Sequence, residues 1–458
     1  MSSKLPRRAK AALSLWLLSS VGLGYARPQN PIDTVSSLLL ADAIEEADLI
    51  LDALAEDSDV LAFKGEIEFR RANFEEARAY YSRALDLDPN TARAHFGVGK
   101  LLMGKMMLTE AIDSLSKAVE LEPDAAIYRL ALADAWAYEG DVAEQARQLE
   151  AYVALEPSYD LERLRQVEAV LEVIGDFGPV RMGVYDLPEP AESITISQGL
   201  NLIFASVMVG DQGPFEFIVD TGASQTVFTE RLLGELGLTP ITSTLIYGIG
   251  GDGRVESGIY RIDSLTFGGI EVRNLPVGTL SDPLLGELAD GIFSTATFGR
   301  ELVSIDYPDS IIEFNVDTDS DDSLSERVPG WFFSNLAFVP LRLNGDFEGL
   351  FLLDTGAVTS ILSHKAAAAL GVTEETPGAG VSLGLAGIGG GSGLALTVPA
   401  VTLSTTQSQA SFPLMIAIDM DEISQTLGIE VSGIVGYDFL KDYRVSIDFD
   451  NAEVILSR

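Results

Sequence analysis

The chain of 458 residues contains no cysteine. A thiol nucleophile, a disulfide and a thiolate metal site are therefore excluded. Histidine is almost missing as well, with only His95 and His364. Zinc hydrolases and Ser-His-Asp triads need histidines beside their core motifs, and no such cluster exists. Basic residues are scarce: 30 Lys+Arg stand against 69 Asp+Glu, a formal net charge of −39. The deficit runs through the whole chain after residue 26, with 14 against 31 over residues 27–180 and 12 against 38 over residues 181–458. Such a surface repels nucleic acid and anionic membranes and favours basic or neutral peptides kinetically, although solubility alone accounts for the same balance. Long apolar runs are absent beyond the amino terminus, so no membrane span is expected.

The amino terminus departs from the acidic balance. Lys4, Arg7, Arg8 and Lys10 precede the apolar stretch Ala11–Leu23, followed by G-Y-A at Gly24–Ala26. A charged start, a short apolar core and small residues at a cleavage point make residues 1–26 a secretory signal. The core is too short to span a bilayer comfortably. The expectation is an exported protein, periplasmic or secreted.

Two apolar segments run into the same tetrapeptide: F-I-V-D-T-G-A-S at Phe217–Ser224 and F-L-L-D-T-G-A-V at Phe351–Val358. One Asp-Thr-Gly alone reads as an ordinary turn. Two copies 134 residues apart suggest Asp220 and Asp354 brought together across a pseudo-two-fold axis. Carboxyl groups about 3 Å apart cannot both ionise and hold one proton between them. One then acts as base towards a water while the other hydrogen-bonds a carbonyl. Further landmarks recur in order. Leu236-Gly237 matches Leu370-Gly371, and G-I-G-G recurs at Gly248–Gly251 and Gly387–Gly390. I-F-S at Ile292–Ser294 matches I-V-G at Ile434–Gly436, and V-S-I-D follows at Val303–Asp306 and Val445–Asp448. The pattern is that of two homologous lobes. Asp306 and Asp448, in alternating strand patterns, are expected to face solvent or cap a turn, without a chemical role. Asp317, Asp319, Asp321 and Asp322 are spaced like a calcium loop but lack its sixth-position glycine and twelfth-position glutamate, so they read as a solvated linker.

On these motifs, roughly Val180–Arg458 resembles the retropepsin-like (retroviral-type) aspartyl proteases, duplicated within one chain. The resemblance implies two mostly-β lobes related by a pseudo-two-fold axis, with the active site in the cleft. It assigns catalysis to Asp220 and Asp354. Thr221 and Thr355 would lock the loops by crossed hydrogen bonds, and Gly222 and Gly356 would let backbone pass close under the carboxylates. Gly248, Ile249, Gly250 and Gly251, with Gly387, Ile388, Gly389 and Gly390, would be flaps over a bound peptide. Ala223 and Ala357 stand where pepsin-like relatives place a hydroxyl that bonds the outer carboxylate oxygen. Without that donor the dyad should work nearer neutral pH. Ser294 departs from the pattern, which wants glycine there and keeps it at Gly436, making the packing beneath Asp220 the weakest match.

Upstream, Pro89, Pro123 and Pro157 lie 34 residues apart, each closing an L-D-P or L-E-P. Gly65, Gly99 and Ala133 keep the same step, as do Ala77 with Ala111 and Ala84 with Ala118. A helix-turn-helix period of 34 resembles the tetratricopeptide repeat (TPR). Three repeats fill about Asp57–Asn90, Thr91–Asp124 and Ala125–Ser158, with Leu161–Ile174 as a capping helix. Such a solenoid either recruits a protein partner or serves as a spacer.

The fold class is multidomain, an all-α TPR solenoid before a mostly-β two-lobed protease fold. The divisions are a signal at 1–26, a lead segment at 27–56 with a half-repeat, repeats at 57–176, a linker at 177–199, lobe one at 200–316, an acidic inter-lobe linker at 317–334 and lobe two at 335–458. The expected function is an exported aspartic endopeptidase that needs no cofactor or metal, acts on peptide or protein substrates and works as a monomer. The rival is a catalytically inactive peptide-binding scaffold, to which Ser294 lends some support.

Overall fold

The computed structural model describes residues 31–155, 161–178, 181–187, 193–247, 254–280, 283–316, 325–385 and 391–458. The signal at 1–26, Pro157, the acidic run 317–322 and both G-I-G-G segments lie outside the described residues. The chain divides into two compact units, one formed by residues up to 101 with 109–128, the other by 102–108 with 129–458.

The first unit is helical. Pro31–Leu40 and Ile44–Leu51 form a pair whose Val35, Leu39, Ala47 and Leu51 pack with Val60, Phe63 and Ile67 of the helix Ser58–Arg70. Asp57 caps that helix, its carboxylate accepting from Val60 N at 2.8 Å. Tyr81 on the helix Phe74–Leu87 dictates glycine at the repeat position Gly65 and at Gly97. A Cβ at Gly65 would sit 2.6 Å from its ring, and one at Gly97 2.1 Å. Glu66, buried beside them, is bonded by Arg93 and Arg70 at 2.5 and 3.2 Å. Ala72, Met106 and Gly140, again 34 apart, carry positive φ of 59°, 56° and 80°. Each closes the turn between two helices of a repeat, a periodicity that residue identity alone hides.

In the second unit the helices Ala126–Glu139 (from residue 129), Val142–Ala154 and Leu161–Phe177 precede 23 described strands, Val184–Tyr185 to Glu453–Ser457. The loop at 102–108 is built into this unit. Met106 joins the core shared by both lobes, and Lys105 Nζ donates to Gly330 O at 2.7 Å while lying over the Trp331 ring.

The lobes repeat one topology. In lobe one the hairpin Leu202–Val209 and Gln212–Asp220 is flanked by Gly291–Ser294, which runs parallel to the strand ending at Asp220. In lobe two Leu336–Leu343 and Phe347–Leu353 are flanked by Gly433–Val435 in the same way. Both parallel crossings need a glycine. A Cβ at Gly291 would meet the Phe217 ring at 2.4 Å, and one at Gly433 the Phe351 ring at 2.6 Å.

A six-stranded antiparallel sheet joins the lobes. At its centre the two V-S-I-D strands pair with each other, Ser304 opposite Ser446. Its outer strands are Ile194–Thr195 on one side and Ser325–Pro329 on the other. Within the stretch expected as linker, Ser325–Pro329 is thus a strand, its alternating S-E-R-V-P pairing with Glu453–Ser457. Asp306 and Asp448 cap the turns after the central strands, accepting from Asp309 N and Asn451 N at 2.9 and 3.0 Å, and both are buried rather than solvent-facing.

Candidate active site

Alternation along Phe217-Ile218-Val219 sends Phe217 and Val219 into the main core and leaves Ile218 on the opposite face. The strand therefore arrives at Asp220 firmly held, and Phe351 with Leu353 do the same before Asp354. Each aspartate starts a tight turn in which its Oδ1 accepts the N–H two residues on, Gly222 and Gly356, both at 2.7 Å.

The turns lock each other. Thr221 N donates to Thr355 Oγ1 and Thr355 N to Thr221 Oγ1, both at 3.1 Å. Thr221 Oγ1 donates to Leu353 O and Thr355 Oγ1 to Val219 O, both at 2.8 Å. Every donor and acceptor in this buried crossing is satisfied from the opposite lobe, so each loop is complete only with its counterpart. The glycines set how closely the lobes meet. A Cβ on Gly222 would lie 2.4 Å from Asp354 Cγ, and one on Gly356 2.5 Å from Asp220 Oδ2.

The outcome is two half-buried carboxyl groups hydrogen-bonded to each other. Burial raises both above the ordinary carboxylate range. Asp354 rises further because the Asp220 charge faces it, while backbone N–H groups and the bond from Asp354 restrain Asp220. The pair titrates as one unit, so the retained proton belongs to both.

Residues 205–297 match the family model described as Aspartyl protease, and residues 65–105 match the one described as TPR repeat. The chain joins TPR repeats to an aspartyl protease-like domain. A search of curated proteins found no matching sequence. Among solved structures, an aspartic proteinase from Irpex lacteus aligns at 13% identity over 58% of this chain and 97% of that one, with a TM-score of 0.36, too low to carry any argument.

Within the protease-like domain, Ser294 does not loosen the packing beneath Asp220. It is fully buried, its Oγ donates to Ala223 O at 2.5 Å and accepts from Ala296 N at 3.1 Å. In lobe two the equivalent carbonyl, Ala357 O, accepts from Tyr437 N at 2.9 Å, and Gly436 has no room for a side chain because a Cβ would lie 2.6 Å from that oxygen. One lobe uses a hydroxyl where the other uses a backbone amide.

Of the expected site residues, Asp220, Thr221, Gly222, Asp354, Thr355 and Gly356 converge as described. Ala223 packs against an apolar group containing Leu202, Phe204, Ile218 and Ile292. The strands flanking each G-I-G-G segment pair antiparallel, up to Tyr247 with Arg254 and Leu385 with Gly391. Sequence reading missed Tyr307, which follows the first V-S-I-D. Its ring packs edge-on to Tyr437, and its buried hydroxyl has no hydrogen-bond partner among the described residues. Burial and the charge of Asp354 push its phenol well above the usual range. Phe449 holds the matching place after the second V-S-I-D, and only this broken match could have signalled it.

Proposed function

We propose that the protease-like domain is an aspartic endopeptidase. The observation that carries the reading is the hydrogen-bonded pair Asp220–Asp354 at the head of two loops locked through Thr221 and Thr355. One proton on the pair leaves a base for the attacking water and an acid for the scissile carbonyl oxygen, whose developing charge it stabilises. As the tetrahedral intermediate collapses, the same groups return a proton to the leaving amine. Neither step calls on a metal or cofactor. The segments 248–251 and 387–390 act as flaps on an extended peptide. The repeats bind a protein partner or substrate, and residues 1–26 direct export. Among the described residues no helix is long and apolar enough to cross a membrane.

The scaffold reading loses its support once Ser294 is bonded into lobe one. The deciding experiment is cleavage of a peptide library by the full-length protein and by Asp220→Asn and Asp354→Asn. Each single variant should lose at least about a thousandfold in kcat, and the double should be no worse, because the pair works as a unit. Substantial cleavage by either single variant would sink the two-carboxylate mechanism.

A further inference from the structure

Lobe two anchors its aspartate loop with a carboxylate that lobe one does not have. Asp438, on the short helix Tyr437–Leu440, accepts three hydrogen bonds: from Thr359 Oγ1 at 2.7 Å, Ser360 N at 2.8 Å and Ser360 Oγ at 2.6 Å. Ser360 Oγ in turn accepts from Gly436 N at 3.0 Å. The residue before that glycine, Val435, receives Asp354 N at 3.0 Å. A continuous path therefore runs from Asp438 through Ser360 and Gly436 to the strand that holds the backbone of Asp354.

Lobe one makes the same path from neutral groups. Ser294 N donates to Thr226 Oγ1 at 3.1 Å, and Thr226 Oγ1 meets Thr297 Oγ1 at 2.9 Å, while Ala296 stands where Asp438 would be. Hydrogen bonds to an ionised acceptor are roughly twice as strong as neutral ones. The loop of Asp354 is thus tied by the stronger device, and the two halves of the dyad are not equivalent.

We propose that Asp438 is the positioning residue for Asp354, fixing through Thr359, Ser360 and Gly436 the geometry in which that carboxyl meets its partner. The inference rests on the reading of Asp220 and Asp354 as a catalytic pair. Misplacing a reacting group by a fraction of an ångström costs rate rather than binding, so kcat is the quantity affected.

The test uses the full-length protein, with kcat and KM measured separately on a peptide that the wild type cleaves, and with thermal unfolding as a check on the fold. Asp438→Ala should lower kcat by about 10- to 100-fold with KM within about threefold. Asp438→Asn keeps an oxygen acceptor for Ser360 and should restore kcat to within about fivefold of wild type. Ser360→Ala, which removes the link to Gly436, should reproduce the kcat loss and decides the matter if Asp438→Ala does not fold. An unchanged kcat in Asp438→Ala or Ser360→Ala overturns the proposal, as does a loss that Asp438→Asn fails to relieve. If the wild type cleaves nothing, or cleavage survives Asp354→Asn, the dyad reading has failed and the positioning role falls with it. Dyad-dependent cleavage indifferent to Asp438 removes the positioning role alone.

Discussion

Ser304 and Ser446 face each other at the centre of the inter-lobe sheet, their buried hydroxyls 2.7 Å apart. They are the same residue of the two V-S-I-D copies, so the pseudo-two-fold axis passes between them. Both halves of the symmetric sheet come from one chain. Specific activity should therefore stay constant on dilution, and neither lobe expressed alone should cleave peptide. Activity that falls with dilution, with dimers seen by light scattering at the active concentrations, would place the site between chains.

The dyad should cost the fold stability at neutral pH. Burial raises both carboxyls, so the folded state holds on to protons that the unfolded chain releases. The contribution is fully favourable below the ordinary aspartate range and is lost as pH rises through the raised values. Asp354→Asn, which removes the charge and keeps the shape, should raise Tm at pH 7 by about 2–4 °C. The gain should vanish near pH 3. Scanning calorimetry of the variant across that range checks the sign.

Glu66 behaves oppositely. Burial works against its charge, but Arg93, Arg70 and Lys100 hold its pKa down to about 2. Its stabilisation is present above the ordinary glutamate range and is lost as pH falls towards 2. Glu66→Gln leaves Arg93 short of its counter-charge and should destabilise the first unit by about 3 kcal/mol at pH 7. Denaturant melts should show that difference shrinking steadily below pH 4.5.

A fragment beginning at residue 180 should fold poorly. Gly104 lies against the Phe333 and Trp331 rings, where a Cβ would sit 2.7 and 2.9 Å away. Tyr138 Oη accepts Asn335 N at 2.9 Å. Cutting before lobe one removes these partners and uncovers the aromatic face of Trp331–Phe333. The fragment should bind a hydrophobic dye and melt earlier than the intact protein. A sharp transition at the intact protein's Tm would show that the repeats contribute nothing to the second unit.

Much of the architecture could be read from residues because the duplication acts as its own control. Phe217–Asp220 recurs at Phe351–Asp354, and the 34-residue step of Gly65 and Gly99 reports helices crossing tightly over Tyr81 and Leu115. The crossed bonds of Thr221 and Thr355 followed from resemblance to a family. What stayed hidden were features in which unlike residues do one job. Ser294 looked like a defect because a hydroxyl had taken over the bond that Tyr437 N makes in lobe two. Asp438 has Ala296 as its counterpart, so no repeated letter marked it. The strand Ser325–Pro329 was hidden behind the acidic run before it, since its pairing with Glu453–Ser457 is set by partners more than a hundred residues away.

The crossed threonines also impose a timetable. A ribosome delivers Thr221 long before Thr355, and until then its hydroxyl and amide have nothing in the opposite lobe to bond. The central sheet is later still, since it waits for Arg444–Asp448. A chain that has not yet reached Asp354 therefore holds one aspartate and half a lock. On the proposed reading, cleaving power would arrive only once Asp354 and the strand Arg444–Asp448 have both been made, because the dyad and the sheet that joins the lobes need them.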